Sequence, residues 1–468
     1  MGNSKFISGC ELFMKRSVMI LFAFGACFFL SAAAGHAVTD IVNTTHNFSA
    51  SGPGPIKALT ENRICVFCHT PHNATPYTPL WNKEVQPQTY TVYTSPTLKA
   101  GTPDPIPQPF GPTKLCLSCH DGTIAIGAVV NPSGGITMMG GTTIPVGSPS
   151  YFGIDLSSHH PVSFLYSKSL PNDELVSPPP SSLVFGGGDP ELHCTTCHDP
   201  HNNTYGKFLA IDNSFSALCT TCHQMTDWSF SGHATIEQGC EVCHTPHFAL
   251  DSPLLNYNSS DYCLSCHDPV PSDPPLHGES LAAKAGAAIQ SPALYPGSRA
   301  DIKTQIRKLS GHHEQPGFTN VSLRRLKGAS RSMIRSATCV DCHNPHAANG
   351  QKASAPYASG MLKGVSGVDI NGMEVSSANY EYEVCFKCHS DYSSDIQYIP
   401  RVINTTNLRL AFEPDNPSYH PVVSMGKNIS IPSIPAPLEP GLNALDIIYC
   451  TDCHRDDAGG SKGPHGSS

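Results

Sequence analysis

The residues with the clearest chemistry in this chain are its cysteines and the histidines behind them. Of twenty cysteines, Cys10 and Cys27 lie near the N-terminus, and the other eighteen form nine C-x-x-C pairs with none left over. They are Cys65/Cys68, Cys116/Cys119, Cys194/Cys197, Cys219/Cys222, Cys240/Cys243, Cys263/Cys266, Cys339/Cys342, Cys385/Cys388 and Cys450/Cys453. A histidine follows every pair: His69, His120, His198, His223, His244, His267, His343, His389 and His454. We number these words first to ninth in chain order.

Three chemistries compete for such a pattern. Disulfides suit a cysteine-rich exported chain, but nothing in disulfide chemistry asks for the following histidine. Zinc ribbons use C-x-x-C pairs, with histidine ligands at other spacings. Covalent attachment of haem c requires C-x-x-C-H itself: two thioethers to the porphyrin and an imidazole placed beneath the iron. With histidine at about one residue in twenty, nine chance occurrences out of nine have odds on the order of 10⁻¹². The words therefore predict nine covalently bound haem c groups, with the nine following histidines as proximal iron ligands.

Each iron has a second side. Besides the nine proximal histidines and His36, fourteen of the 24 histidines remain. Four extend a word to C-x-x-C-H-x-P-H: His72, His201, His247 and His346. The proline stiffens that turn and aims the second imidazole away from its own word, toward a neighbour. Others stand out by context: His233 in "SGH", His160 and His420 each before Pro-Val, His46 in "HNFSASGPGP", and His312 or His313 in "LSGHHE". One from each doublet gives nine distal candidates, with His465 in "GPHGSS" a tenth. His193 and His277 read as surface histidines. Histidine on both sides of the iron predicts low reduction potentials, because methionine ligation is what raises them.

The elements that must position these ligands are sparse in the text. Proline (42) and glycine (39) make up about a sixth of the chain, so an ordinary packed core is hard to assemble. Turn signals recur, as in "GTPDPIPQPFGP", "SPPPSS", "FGGGDP", "DPVPSDPP" and "IPSIPAPLEPG". The expected fold is mostly irregular with short α-helices and turns after the words, little β-strand, and haems in place of the usual apolar interior. The best helix candidates are "LAAKAGAAIQ", "DIKTQIRKL" and "SLRRLKGASRSMI". Three segments follow the signal-like start: 38–190 with two words, 191–285 with four, and 286–468 with three. Words also come in doubles, Cys194 to His223 and Cys240 to His267, with looser versions from Cys65 to His120 and Cys339 to His389. So short a tether keeps two haems close.

Residues 1–37 carry Lys15 and Arg16, an uncharged stretch "SVMILFAFGACFFL" and small residues in "SAAAGHA". That is the layout of a secretory signal cleaved after Ala37 or Ala34, with a membrane anchor or lipoprotein signal as the alternatives. The apolar run is short for a membrane span, so the expected mature chain is exported and does not cross the membrane. Loss of this leader removes three positive charges and one negative from a formal −9, leaving −11. Such an acidic balance argues against nucleic-acid binding. The one basic stretch, Arg324, Arg325, Lys327, Arg331 and Arg335, reads as a solvated helix or a docking face for an acidic partner.

The stretches "CHTPHNATPYTPLWN", "LCLSCHDGTIAIGAV" and "SHHPVSF", with the doubled words, resemble bacterial multihaem c-type cytochromes of the kind found in Geobacter-like metal-reducing bacteria. The resemblance implies electron transfer in the periplasm or at the cell surface during anaerobic respiration. Its implied partners are other redox proteins, quinol-linked or part of an outer-membrane conduit, or external acceptors such as Fe(III). An oligomer or filament would serve the same end. The alternative is a multihaem reductase of nitrite, hydroxylamine or a sulfur oxyanion. That needs an open iron, and no word here replaces its histidine by lysine, as the nitrite reductase family often does.

Overall fold

The computed structural model describes residues 41–256 apart from 77, 86, 237 and 238, then 263, 264, 267, 302–306, 308, 312, 337–390, 407–428, 445–456 and 463–466. The signal-like start, the basic cluster 324–335, Cys266, His277, His313 and two of the three helix candidates lie outside the described residues. The third, "DIKTQIRKL", contains a short helix at Ile302–Ile306.

As expected, regular structure is thin. The longest helices among the described residues are Gly111–His120 and Glu381–His389. The β-structure in named strands consists of three antiparallel ladders of two residues per strand: β1 (Lys57–Ala58) with β2 (Met138–Met139), β3 (Phe164–Leu165) with β4 (Glu191–Leu192), and β5 (Gly367–Val368) with β6 (Glu374–Val375). Among the described residues no helix is long and apolar enough to cross a membrane.

The expected place of the helices is corrected: helical turns lie on the words themselves rather than after them. Helices or 3-10 turns hold Cys65–Phe67, Cys194–Cys197, Ala217–Cys222, Gly239–Val242, Cys339–Cys342 and Cys450–Cys453. The second and eighth words close longer helices, with Cys116 and Cys119 inside Gly111–His120 and Cys385 and Cys388 inside Glu381–His389. Cys119, expected ahead of a helix, is half-buried in the last turn of one. Its carbonyl and that of Leu117 accept from the Asp121 N–H that caps the end. The reason is the placement of the breakers. Pro112 opens this helix, where a missing N–H costs nothing, and Gly122 at φ 75° follows its end, so the word is the last stretch that can be helical.

Residues three apart share a helix face, so a single turn sets both sulfurs of a word on one side. The spacer residue helps to start that turn. Asp341 accepts from the Thr338 N–H at 2.8 Å, Asp452 from the Tyr449 N–H at 2.8 Å, and Thr196 Oγ1 from the His193 N–H at 3.1 Å. Each satisfies a backbone donor that a helix start otherwise leaves unpaired.

The chain divides into two units, neither of them one continuous stretch: residues 1–85, 122–148 and 197–210, and the remainder. The first unit packs Ile56, Ala58, Val66, Phe67 and Ile126 into a small core. Beside it the fully buried Lys83 amine donates to the carbonyls of Ala125 at 3.3 Å and Ile126 at 2.6 Å. The second unit has several small clusters in place of one core: Tyr90, Leu117 and Leu156; Ile106, Phe164 and Leu192; Val365, Ala378 and Val384; and Val368, Tyr382 and Phe386. Each cluster lies at a strand pair or helix next to a word.

Candidate haem-ligation sites

Three words followed by Pro-His share one local build. After the first, third and fifth words the chain loops out and returns antiparallel. The N–H of Asn82, Ala210 and Asn256 donates to the carbonyl of the second cysteine, Cys68, Cys197 and Cys243, at 2.9, 2.9 and 3.0 Å. The second word departs from this build, since the Cys119 carbonyl is taken by its own helix cap. The returning loop also supplies a carbonyl to the proximal ring. His198 Nδ1 bonds Lys207 O at 2.9 Å, and His244 Nδ1 bonds Pro253 O at 3.1 Å. His343 does the same with Met361 O at 2.9 Å and His120 with Ser150 O at 2.8 Å. An Nδ1–H committed to a carbonyl leaves Nε2 as the lone-pair nitrogen, which is the arrangement of a metal-ligating histidine with its outer partner.

Six proximal rings have another imidazole opposite them. The ring centres are 6.1 Å apart for His69 and His201, 6.3 Å for His223 and His160, 6.0 Å for His244 and His346, 6.1 Å for His267 and His233, 6.2 Å for His343 and His465, and 6.1 Å for His389 and His312. Three pairs are within 27° of parallel and three lie at 66° to 78°. The spacing is what one metal between two rings requires: about 2 Å from metal to nitrogen on each side, and about 1 Å more to each ring centre. Other ring pairs among the described residues scatter from 4.3 to 6.4 Å, whereas these six stay within 0.3 Å of one another.

His120 stacks on Phe152 at 5.6 Å, and the opposite candidate His247 stacks on the same Phe152 at 5.0 Å. His46 stacks on Phe208 at 4.3 Å, next to the Lys207 carbonyl that holds His198. His454 and His420 are both exposed, and neither faces an imidazole among the described residues. His420 sits beside Pro421, whose carbonyl accepts from Ile448 N–H at 2.9 Å, two residues ahead of Cys450. His72 is also exposed, with no ring opposite it among the described residues, although it occupies the same motif position as His201 and His346.

A second sequence reading is overturned. His193, read as a surface histidine, is fully buried. Its Nδ1 bonds Thr113 Oγ1 at 3.0 Å, its Nε2 meets Glu191 at 3.2 Å, and Phe110 packs edge-on at 5.2 Å. Both ring nitrogens have partners, so burial costs no unpaired polar group. This histidine ties the second word's helix to the start of the third. His159, the unchosen member of its doublet, is also buried and lies 3.2 Å from His247, nitrogen to nitrogen.

Burial also sets the protonation of the rings. Desolvation, with help from neighbouring imidazoles, pushes His223, His346 and His465 down to about 4. His69, His160, His198 and His244 are lowered by burial too. A neutral ring is the form that binds a metal. The competing chemistries find no geometry here. Among the described residues no three His, Cys, Asp or Glu side chains converge on a bare metal ion, and none of the described cysteines, Cys119 included, is in a disulfide. Paired thiols on one face of a turn, with facing neutral imidazoles at one spacing, fit haem c.

A family model described as the doubled CXXCH motif matches residues 185–227 and 233–271, which span the third to sixth words. A search of curated proteins gave no match. The match supports haem c bound covalently through the C-x-x-C-H words, as in multihaem c-type cytochromes.

Proposed function

We propose that the chain is an exported electron carrier with nine haem c groups, one per word, each iron held between two histidines. The observation that carries this reading is the set of six facing imidazole pairs at 6.0–6.3 Å. Bound haem supplies a one-electron Fe(III)/Fe(II) couple. The chain's own residues do the rest. Cysteines would anchor each group, backbone carbonyls take the Nδ1–H of rings such as His198 and His244 and leave Nε2 for the metal, and burial keeps His223, His346 and His465 neutral. By the same pattern His247 serves His120, His46 serves His198, and His420 is left for His454.

Histidines on both sides would leave an iron no open position for a substrate, which favours carriage over a reductase. Donor and acceptor would be other redox proteins, quinol-linked or part of an outer-membrane conduit, or an external acceptor such as Fe(III). The test is a pyridine haemochrome count with an EPR spectrum of the oxidised protein. Nine haems per chain, all low-spin, are expected. A high-spin ferric signal that shifts on adding nitrite or hydroxylamine would overturn the carrier reading in favour of a reductase.

A further inference from the structure

The geometry points to one unbranched row of irons in which the second and third words exchange places: first, third, second, fourth, then fifth to ninth in chain order. This rests on the haem reading above and adds which irons are neighbours, where the doubled words of the sequence pair the first with the second and the third with the fourth.

Two kinds of contact alternate along the row. In the first kind, the ligand of one word is hooked to the carbonyl just before the ligand of another. Within the first unit His46 Nδ1 bonds Pro200 O at 3.2 Å, and Pro200 precedes His201, the partner of His69. That couples the third word to the first. Within the second unit His160 N–H donates to Pro246 O at 2.7 Å, and Pro246 precedes His247. That couples the fourth word, through His223, to the second, through His120 and Phe152. His233 Nδ1 bonds Pro345 O at 3.0 Å before His346, coupling the sixth word to the fifth. His312 Nδ1 bonds Pro464 O at 2.6 Å before His465, coupling the eighth to the seventh.

In the second kind the words themselves touch. Cys194 N–H donates to Thr113 Oγ1 at 3.3 Å in the second word's helix, and the Cys194 thiol bonds that of Cys116. Cys240 N–H donates to Ser216 Oγ at 2.9 Å at the start of the fourth word's helix, and its thiol bonds that of Cys219. The sixth and seventh words follow one another in the chain, and the Cys263 and Cys339 side chains lie near each other. Thr451 Oγ1 donates to Glu381 at 3.0 Å, and the Cys385 and Cys450 thiols meet, joining the eighth to the ninth. Each porphyrin is tied at its edge to these sulfurs, so touching sulfurs mean neighbouring porphyrins.

The third word takes part in both units through the chain alone: Cys194 belongs to the second and His198 to the first. Among the described residues every word from second to eighth shows one contact of each kind, the first a hook and the ninth a word contact, which together trace a row from the first word to the ninth.

The test is an experimental structure of the mature holoprotein, by cryo-EM or by diffraction at the iron edge, read for iron positions. The iron on His198 should have the irons on His69 and His120 as its two nearest neighbours, and the iron on His120 should be next to that on His223. Finding the His69 and His120 irons adjacent, with His198 beside His223, would overturn the order and leave the haem reading intact. A map without porphyrins at the words would overturn both.

Discussion

His72 and His201 stand at the same place in the same motif, yet their surroundings differ, and a pair of alanine variants tests the roles proposed for them. His201 faces His69 at 6.1 Å, whereas His72 is exposed with no ring opposite it among the described residues. On the proposed ligation His201→Ala removes one ligand from one of nine irons, so about a ninth of the haem should turn high-spin. The His201 side chain is 63% exposed and its protein contact is a 3.5 Å approach to Asp199. Its loss should therefore cost no more than about 0.5 kcal/mol in protein contacts, and the spectral change should not come from unfolding. The assay is quantitative EPR of the oxidised protein, with added imidazole as a rescue. His201→Ala should show one high-spin iron per chain, abolished by imidazole, and His72→Ala should match the parent. High-spin iron in His72→Ala, or none in His201→Ala, would refute the pairing.

Replacing His346 by methionine should raise the potential of a single haem in a redox titration, because thioether ligation favours the reduced iron; an unchanged curve would show that His346 does not face the fifth word's iron. Lys83→Met strands the buried Ile126 carbonyl, whereas that of Ala125 keeps the Ala128 N–H. It should cost about 1–3 kcal/mol, seen as a lower Tm by circular dichroism, and a Tm equal to the parent's would contradict the buried-amine geometry. Asp341→Ala removes the acceptor for the Thr338 N–H and hydroxyl, at 2.8 and 2.9 Å. A loss of about 1 kcal/mol is expected in denaturant unfolding, with Asp341→Glu no substitute if the short side chain is what caps the turn. Gly111 has φ +54°, and a Cβ there would lie 3.1 Å from His193 Cε1. Gly111→Ala should therefore cost at least about 1 kcal/mol by the same measurement, since the left-handed backbone is unfavourable for any side chain.

The chain's chemistry was legible from the words because haem attachment is a local demand: two sulfurs and an imidazole within five residues, on one turn. The thin secondary structure was legible for a similar reason, since proline and glycine disfavour long elements wherever they fall. Their exact positions mattered more than their number: Pro112 and Gly122 bracket the helix that carries Cys116 and Cys119, and so place it on the word. Of the distal candidates named by context, His160, His201, His233, His312 and His346 each lie opposite the ring of a histidine that follows a C-x-x-C pair. The caps were not anticipated, although Asp341 and Asp452 sit three residues after the N-cap in plain view. What the text could not decide is which ring faces which. His465 faces His343 from 122 positions away, and His201 faces His69 rather than a ring of its own double. His193 looked exposed because neither Thr113 nor Glu191 is marked as its partner by any spacing. Facing depends on where loops return in space, through hydrogen bonds such as His46 to Pro200 and His233 to Pro345. A local word specifies what a residue binds, and only the tertiary contacts specify which partner it shares it with.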